Sequence, residues 1–338
     1  METRACFTPC VGRRDRGSGG TYYTSTMRRI LSICAIAVCG LAAPALPQEN
    51  SSPFLGRWDF DVATPAGMRA NWLGVTQKDG KLEIWFQPTG GNVYQVKDFQ
   101  VEGSHIKLVV QPASGNRPEM TWELNASGQE LTGVQKQGER STSLTGVRAP
   151  ELKRSMPKAW TKPESLFNGK NLDGWEPIGD VAHSHWVVKD GVLVNEARGA
   201  NLRSKREFED FKAHFEVNCP EGANSGFYLR GRYEVQLEYE PEHTEPMERQ
   251  MGSIYGRIAP SVELPRAPGQ WETFDVTMVG RTVTVVRNGT TIIDAKEIEG
   301  ITGGALDADE GKPGPFYIQG DHTGGLQFRN ITVSVPKR

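Results

Sequence analysis

At 338 residues the chain has room for about two domains. Its 39 Lys and Arg against 41 Asp and Glu give a formal net charge of -2, without the clustered basic excess of a nucleic-acid surface. Hydrophobic residues at 37% with eight Trp provide for real cores, and no apolar run approaches the ~20 residues that span a bilayer.

From the N-terminus, Met27-Arg28-Arg29 is a short basic start, Ile30 to Leu41 is an apolar run, and Ala43-Pro44-Ala45 fits a small-x-small cleavage pattern. Residues 27–45 therefore predict a secretory signal peptide cleaved near Ala45, and a secreted or periplasmic protein. Val38 is a poor residue before a lipidated Cys39. Residues 1–26, rich in Arg, Gly and Thr, read as an over-long start, with translation from Met27. Cleavage removes six arginines and two acids, taking the net charge from -2 to -6, and leaves Cys219 as the single cysteine. That excludes an intramolecular disulfide and a zinc site built on several cysteines. Cys219, just before Pro220, reads as a small buried hydrophobe.

Residues 53–148 show short alternating runs, among them Trp58-Asp59-Phe60-Asp61-Val62, Lys81 to Phe86 and Ile106 to Val110. Asp79-Gly80, Gly90-Gly91 and Ser127-Gly128 are turn signals between them. The pattern predicts a small antiparallel β barrel or sandwich, and Gly56-Arg57-Trp58 is similar to the opening of lipocalin-like barrels. Its role is open between a binding module and a scaffold. Residues 149–163, with three prolines and four basic residues, read as a stiff, solvated linker.

Residues 164–338 carry further period-2 runs, such as Phe211, Ala213, Phe215 and Val217. Lys189-Asp190-Gly191 and Asn288-Gly289 supply hairpin turns. No stretch has a 3.6-residue period, so the fold class is all-β, with this second domain a two-sheet jelly-roll sandwich.

The richest stretch for chemistry is 224–238. Glu234, Gln236 and Glu238 are two apart and point to one face of one strand, with Val235 and Leu237 on the other. Tyr228 and Arg230 share a face of the preceding strand, by the same alternation. A carboxylate, an amide and an arginine on a concave sheet would form a polar cup suited to a sugar. Glu234 would then be a proton-transfer group whose pKa is set by partial burial and by Arg230. The same pattern also describes any solvated β face. A second cluster runs Tyr317-Ile318-Gln319-Gly320-Asp321-His322, where His322 could donate a proton or bind an oxyanion. His183-Ser184-His185 lacks a recognised set of further metal ligands, and Asp307, Asp309 and Glu310 lack the EF-hand pattern. No G-x-S-x-G, P-loop or dinucleotide fingerprint is present.

In order along the chain, Leu166-Phe167-Asn168-Gly169-Lys170-Asn171-Leu172-Asp173-Gly174-Trp175, Trp186, Asp190-Gly191, Asn224-Ser225-Gly226, Arg230, Tyr233-Glu234-Val235-Gln236, Gly252-Ser253-Ile254-Tyr255-Gly256, Gln270-Trp271, Asn288-Gly289, Gln319-Gly320 and Phe328-Arg329-Asn330-Ile331 resemble the 3-keto-disaccharide hydrolase family. The resemblance covers roughly 165–336. It implies a concanavalin-like jelly roll and hydrolysis of glycosides whose 3-hydroxyl has been oxidised to a ketone. In that chemistry a C3 carbonyl acidifies the C2 proton, one base removes it, the enolate expels the C1 leaving group, and water adds to the enone. On this basis Glu234 is the expected base, Arg230 the carbonyl or enolate stabiliser, Tyr255 or His322 the acid, and Asn224, Tyr228, Gln236, Glu238 and Gln319 the substrate-binding residues. A divalent metal ion could replace Arg230 as Lewis acid, and a sugar 3-dehydrogenase would be the functional partner. One departure stands out. The family often has an acid three residues after the glutamine, where this chain has Tyr239, so either a bulge re-aims Glu238 or that carboxylate role is absent.

Two other functions fit the same residues. Glu234-x-Gln236-x-Glu238 resembles the E-x-D-x-E strand of retaining β-glucanases, with Gln in the middle place. A non-catalytic, lectin-like carbohydrate-binding module is equally allowed by the fold.

Overall fold

The computed structural model describes residues 52–337, apart from 65–66, 113–117 and 243. The segments 1–26 and 27–45, read above as an over-long start and a signal peptide, lie outside the described residues. Among the described residues no helix is long and apolar enough to cross a membrane.

The first nine strands are β1 (Gly56–Thr64), β2 (Gly67–Lys78), β3 (Lys81–Gln87), β4 (Tyr94–Val96), β5 (Phe99–Glu102), β6 (His105–Val110), β7 (Met120–Ser127), β8 (Glu130–Gln137) and β9 (Arg140–Arg148). They form one antiparallel meander in the order β4-β3-β2-β1-β9-β8-β7-β6-β5. The pairing of β1 with β9 brings first and last strands together, and the Tyr94 hydroxyl bonding to the Gln111 carbonyl at 3.0 Å draws the two free edges toward each other. The result is a nearly closed barrel. Its interior holds Trp58, Phe60, Leu73, Phe86, Trp122, Leu131 and Leu144, with Trp122 edge-on to both Phe60 and Phe86 at 4.9 Å. At one end Trp58 donates its indole N–H to the Phe54 carbonyl at 2.8 Å, and the Arg148 guanidinium lies 4.1 Å over its ring. That end is shut.

Thirteen strands follow among the described residues: β10 (Glu164–Ser165), β11 (Trp175–Ile178), β12 (Trp186–Lys189), β13 (Val192–Asn195), β14 (Asn201–Phe208), β15 (Phe211–Asn218), β16 (Asn224–Leu229), β17 (Tyr233–Glu238), β18 (Trp271–Val279), β19 (Thr282–Arg287), β20 (Thr290–Glu297), β21 (Gly314–Ile318) and β22 (Gln327–Ser334). They make two sheets. One runs β12-β13-β22-β15-β18-β19-β20, with β10 on β22; the other runs β11-β14-β21-β16-β17. Phe215 stacks between Phe227 of the facing sheet, at 4.1 Å, and Phe274 of its own, at 5.1 Å. The fold is thus an all-β jelly-roll sandwich behind a small barrel. The hairpin turns are where the sequence places them, with Asn288 and Gly289 at φ 49° and 75°, the left-handed pair a tight two-residue turn needs.

The barrel docks on the sandwich through the outward faces of β1 and β2. Trp72 and Ala70 pack on Ile301 and Ala308 of the 298–310 loop. The Asp61 carboxylate accepts the Ala308 N–H at 2.9 Å, and Arg57 pairs with Glu297 at 2.8 Å. Asp59, almost fully buried, faces Glu310 and Arg281 there. Gly303 of the same loop sits so close to the backbone of Gly91 in the β3–β4 loop that a Cβ would overlap it.

Candidate active site

The five-stranded sheet turns Phe227, Leu229, Tyr233, Val235 and Leu237 into the sandwich core. Alternation sends Tyr228, Glu234, Gln236 and Tyr317 to its other face. That face is not solvated. Glu234 is only 3% exposed, Gln236 1% and Tyr228 0%, because the barrel and the 250–258 and 298–310 loops cover the sheet. The free edge of β17 is satisfied by those loops: the Tyr255 N–H donates to the Glu234 carbonyl at 3.0 Å, and the Glu234 N–H donates to the Thr302 hydroxyl at 3.0 Å. Between sheet and barrel lies a cleft of ≈ 810 Å³, lined on the sandwich side by Asn224, Glu234, Gln236, Tyr255, Tyr317, Gln319, Asp321 and His322.

Glu234 is the centre of this face. Its pKa is raised well above the ordinary carboxylate value, first by burial, which the Tyr228 hydrogen bond offsets in part and the charges of Glu238 and Asp321 reinforce. Among the described residues no cation contacts it. The Tyr228 oxygen lies 2.8 Å from Glu234 Oε2, 2.6 Å from the Gly303 carbonyl and 2.8 Å from Gln319 Nε2. A phenol has one proton and a carbonyl can only accept. With Glu234 ionised, two acceptors compete for that proton. With Glu234 protonated, it donates to Tyr228, Tyr228 donates to Gly303, and every contact is satisfied. Burial therefore favours the acid form at rest, and the shared Tyr228 proton only partly offsets it. Space for the carboxylate comes from Gly226 on β16, where a Cβ would overlap Glu234 Oε1.

Around it, Tyr255 has its hydroxyl pKa pushed up to about 12, by burial first and the Glu234 charge second. With the Asn92 amide oriented as its neighbours require, Asn92 donates to that hydroxyl at 3.2 Å and accepts from Arg249. His322 is half exposed at the cleft margin, its Nδ1 2.9 Å from the Asp321 carboxylate. His322 and Asn201 hold Asp321 below its ordinary pKa against the opposing effect of burial. Among the described residues the buried amide oxygens of Gln236 and Gln319 have no hydrogen-bond partner, although both residues line the cleft.

Two expected residues fall elsewhere. Arg230 does not share the face of Glu234. The strand β16 ends at Leu229, and Arg230 takes φ 54° in the turn to β17, so alternation no longer applies to it. Its guanidinium is buried at the end of the sheet, where it donates to the Gly280 carbonyl at 3.0 Å and contacts the Tyr233 hydroxyl at 3.3 Å. It cannot stabilise charge in the cleft. Glu238 does stay on the face of Glu234, since the β16–β17 register runs from Leu229–Tyr233 to Asn224–Glu238 without a bulge. It lines a small neighbouring pocket instead, and accepts from Gln236 Nε2 at 2.6 Å. Tyr239 belongs to the core, its hydroxyl accepting from Arg287 Nη2 at 2.6 Å beside the buried Glu272.

Sequence reasoning missed Tyr317 as a site residue. Its ring lies 4.5 Å from that of Tyr228, tilted against it by 49°, and its hydroxyl has no hydrogen-bond partner among the described residues. Its place on β21 two residues before Gln319 was the available signal. The whole barrel side of the cleft was missed as well. Among the described residues no group of three or more His, Cys, Asp or Glu is gathered to hold a metal ion. His183 bonds to Asp180 at 2.8 Å on the surface, and Asp307 is engaged by Arg232 at 2.7 Å.

Residues 162–334, just over half of the chain, match the 3-keto-alpha-glucoside-1,2-lyase-like domain family. The chain belongs to that family. Membership makes it a protein of glycoside chemistry, glycosyl hydrolase-like or carbohydrate-binding. Among solved structures, a candidate glycosyl hydrolase from Parabacteroides distasonis is 28% identical over 54% of this chain and 92% of its own, with a TM-score of 0.45. A carbohydrate-binding module from Bacillus subtilis is 12% identical over 48% of this chain and 96% of its own, with a TM-score of 0.31. A laminarinase from Flavobacterium is 13% identical over 54% of this chain and 100% of its own, with a TM-score of 0.34. No curated protein matches the chain.

Proposed function

We propose that the protein cleaves 3-keto-glycosides by elimination, with Glu234 as the proton-transfer base. The supporting observation is the isolation of that carboxylate: buried, without a cation, raised in pKa and facing a cleft. Retaining glycosidases instead need two carboxyls about 5–5.5 Å apart. Glu234 and Glu238 are four residues apart on a regular strand, about 13 Å between Cα atoms, with the neutral Gln236 between them. A 3-ketone removes the need for a second carboxylate, because the C2 proton becomes acidic enough for one base.

In the proposed reaction, ionised Glu234 takes the C2 proton and the C2–H electron pair forms the enolate with the C3 carbonyl. The enolate then re-forms the ketone as the C1–O bond breaks, giving the enone and the free alcohol. Water adds across C1–C2 to complete hydrolysis. Tyr317, whose hydroxyl is free to donate, takes the enolate-stabilising role first expected of Arg230. Tyr255 stays protonated up to about pH 12 and delivers the proton to the leaving oxygen. His322, oriented by Asp321, is the alternative acid. The unpaired amide oxygens of Gln236 and Gln319 accept from sugar hydroxyls, and Tyr228 and Gln319 fix Glu234. Secretion to the periplasm or outside, and supply of substrate by a sugar 3-dehydrogenase, complete this reading.

The test is aryl release by residues 46–338 from a 3-keto-glucoside and from its unoxidised counterpart. Release from the keto form alone is expected. Release from the unoxidised form would favour a conventional glucanase, and binding without release from either would favour a lectin-like module.

A further inference from the structure

The barrel is open at the end opposite Trp58 and Arg148. Along its inward rows the side chains change from apolar to polar toward that mouth. On β2 the row runs Val75, Leu73, Asn71, Arg69; on β8 it runs Leu131, Gly133, Gln135, Gln137; on β9 it runs Leu144, Thr142, Arg140. The deep members lie in the barrel core. Gln135 marks the transition, its amide oxygen accepting from the core indole of Trp122 at 3.0 Å. The outer members Arg69, Asn71, Gln135, Gln137, Arg140 and Thr142 all line the same ≈ 810 Å³ cleft as Glu234. The barrel mouth and the polar sheet therefore form the two walls of one chamber. Its size lies within the range that encloses drug-sized ligands, more than one hexose ring requires.

The charges on the two walls differ. The barrel wall contributes Arg69 and Arg140 and no acid, on a chain whose formal net charge is -2. Neither arginine pairs with a carboxylate among the described residues. Arg69 lies close enough to the Tyr317 hydroxyl across the cleft for its charge to act on it. Guanidinium groups without a carboxylate partner bind planar oxyanions bidentately, and a concave wall concentrates their field.

We infer that the barrel mouth is the subsite for the leaving half of the substrate, and that Arg69 and Arg140 select a glycoside bearing an anionic group, such as a carboxylate, beyond the scissile bond. The inference rests on the 3-keto-glycoside reading and adds to it a substrate class and a role for the barrel.

Two 3-keto aryl glucosides test it, one with a neutral 4-nitrophenyl group and one with a carboxylate added to that ring. The quantity read is the ratio of kcat/KM for the charged to the neutral compound. The double variant R69Q/R140Q is expected to lower that ratio at least tenfold against the unmodified protein. The R69K/R140K protein, which keeps the charge, should retain most of it. About 0.5 M NaCl should compress the unmodified protein's ratio in the same direction, because charge attraction across an open cleft is screened. A ratio unchanged in R69Q/R140Q overturns the anionic subsite while leaving 3-keto cleavage intact. Cleavage of neither compound overturns the underlying reading and the subsite with it. If the double variant does not fold, R69Q alone carries the test, with a threefold drop expected.

Discussion

Two kinds of buried glutamate occupy the sandwich, and the difference between them separates structure from chemistry. Glu272 and Glu310 are each matched by a buried arginine: Arg287 Nε lies 2.7 Å from Glu272, and Arg281 Nε lies 2.7 Å from Glu310. Tyrosines complete both groups: Tyr239 donates to Glu272 at 2.5 Å and Tyr233 to Glu310 at 2.6 Å. Glu234 is as deeply buried, yet among the described residues its carboxylate hydrogen-bonds only to a phenol, that of Tyr228. A buried carboxylate paired with an arginine holds elements in place. One without an arginine keeps its proton and can exchange it. Arginine placement thus assigns the roles, while burial is common to both.

Substitutions can break this contrast from either side. The largest effect is expected at Glu234: E234Q should lower turnover of the 3-keto-glucoside by about 10³, within the range of lost general base catalysis. Thermal melting should stay the same or rise, since an amide needs no proton to sit there. A lower melting temperature together with unchanged turnover would reverse the assignment. At Glu272 the outcome should be opposite. E272Q leaves Arg287 buried and unmatched and should cost about 3–5 kcal/mol of stability, read by denaturant unfolding.

Tyr228→Phe sharpens the comparison within the site. It removes the one proton passed between Glu234 and Gly303, and turnover should fall roughly 10–100-fold on the same scale of proton-transfer effects. The base must be ionised to act, so the rate should rise with pH through the raised Glu234 pKa. In Y228F that limb should move to higher pH, because the hydrogen bond that favours the carboxylate is gone. The smallest effect belongs to Asp59, where burial first, then the Glu310 charge, push the pKa up to about 9. The unfolded chain releases this proton near pH 4, so between there and about 9 the folded state binds more protons and stability falls as pH rises. D59N should flatten that slope and raise stability at neutral pH, because an amide needs no proton to sit there. Melting temperatures at pH 5, 7 and 9 check it.

Local rules made much of this legible in the sequence. Period-2 alternation placed Glu234, Gln236 and Glu238 on one face, and turn dipeptides marked the hairpins. The same rule misplaced Arg230, because alternation holds only while the strand continues, and a left-handed residue ends it. Burial of the polar face was not legible, since it comes from a barrel more than 80 residues away in sequence from β17. The inward rows of the barrel were visible as alternation, but nothing local says that their polar ends meet another domain. The arginine partners of Glu272 and Glu310 are likewise set by which strands lie side by side.

Gly303 carries a consequence for how this protein is divided. Its carbonyl accepts the Tyr228 proton, while its Cα side rests on the barrel at Gly91. The family boundary at 162–334 therefore leaves outside it one wall of the cleft that Glu234 lines. An excised jelly roll would expose that polar face, and its carboxylate would relax toward an ordinary acid. In the proposed reaction the barrel would then act as a dielectric shutter, tuning a carboxylate from across the cleft.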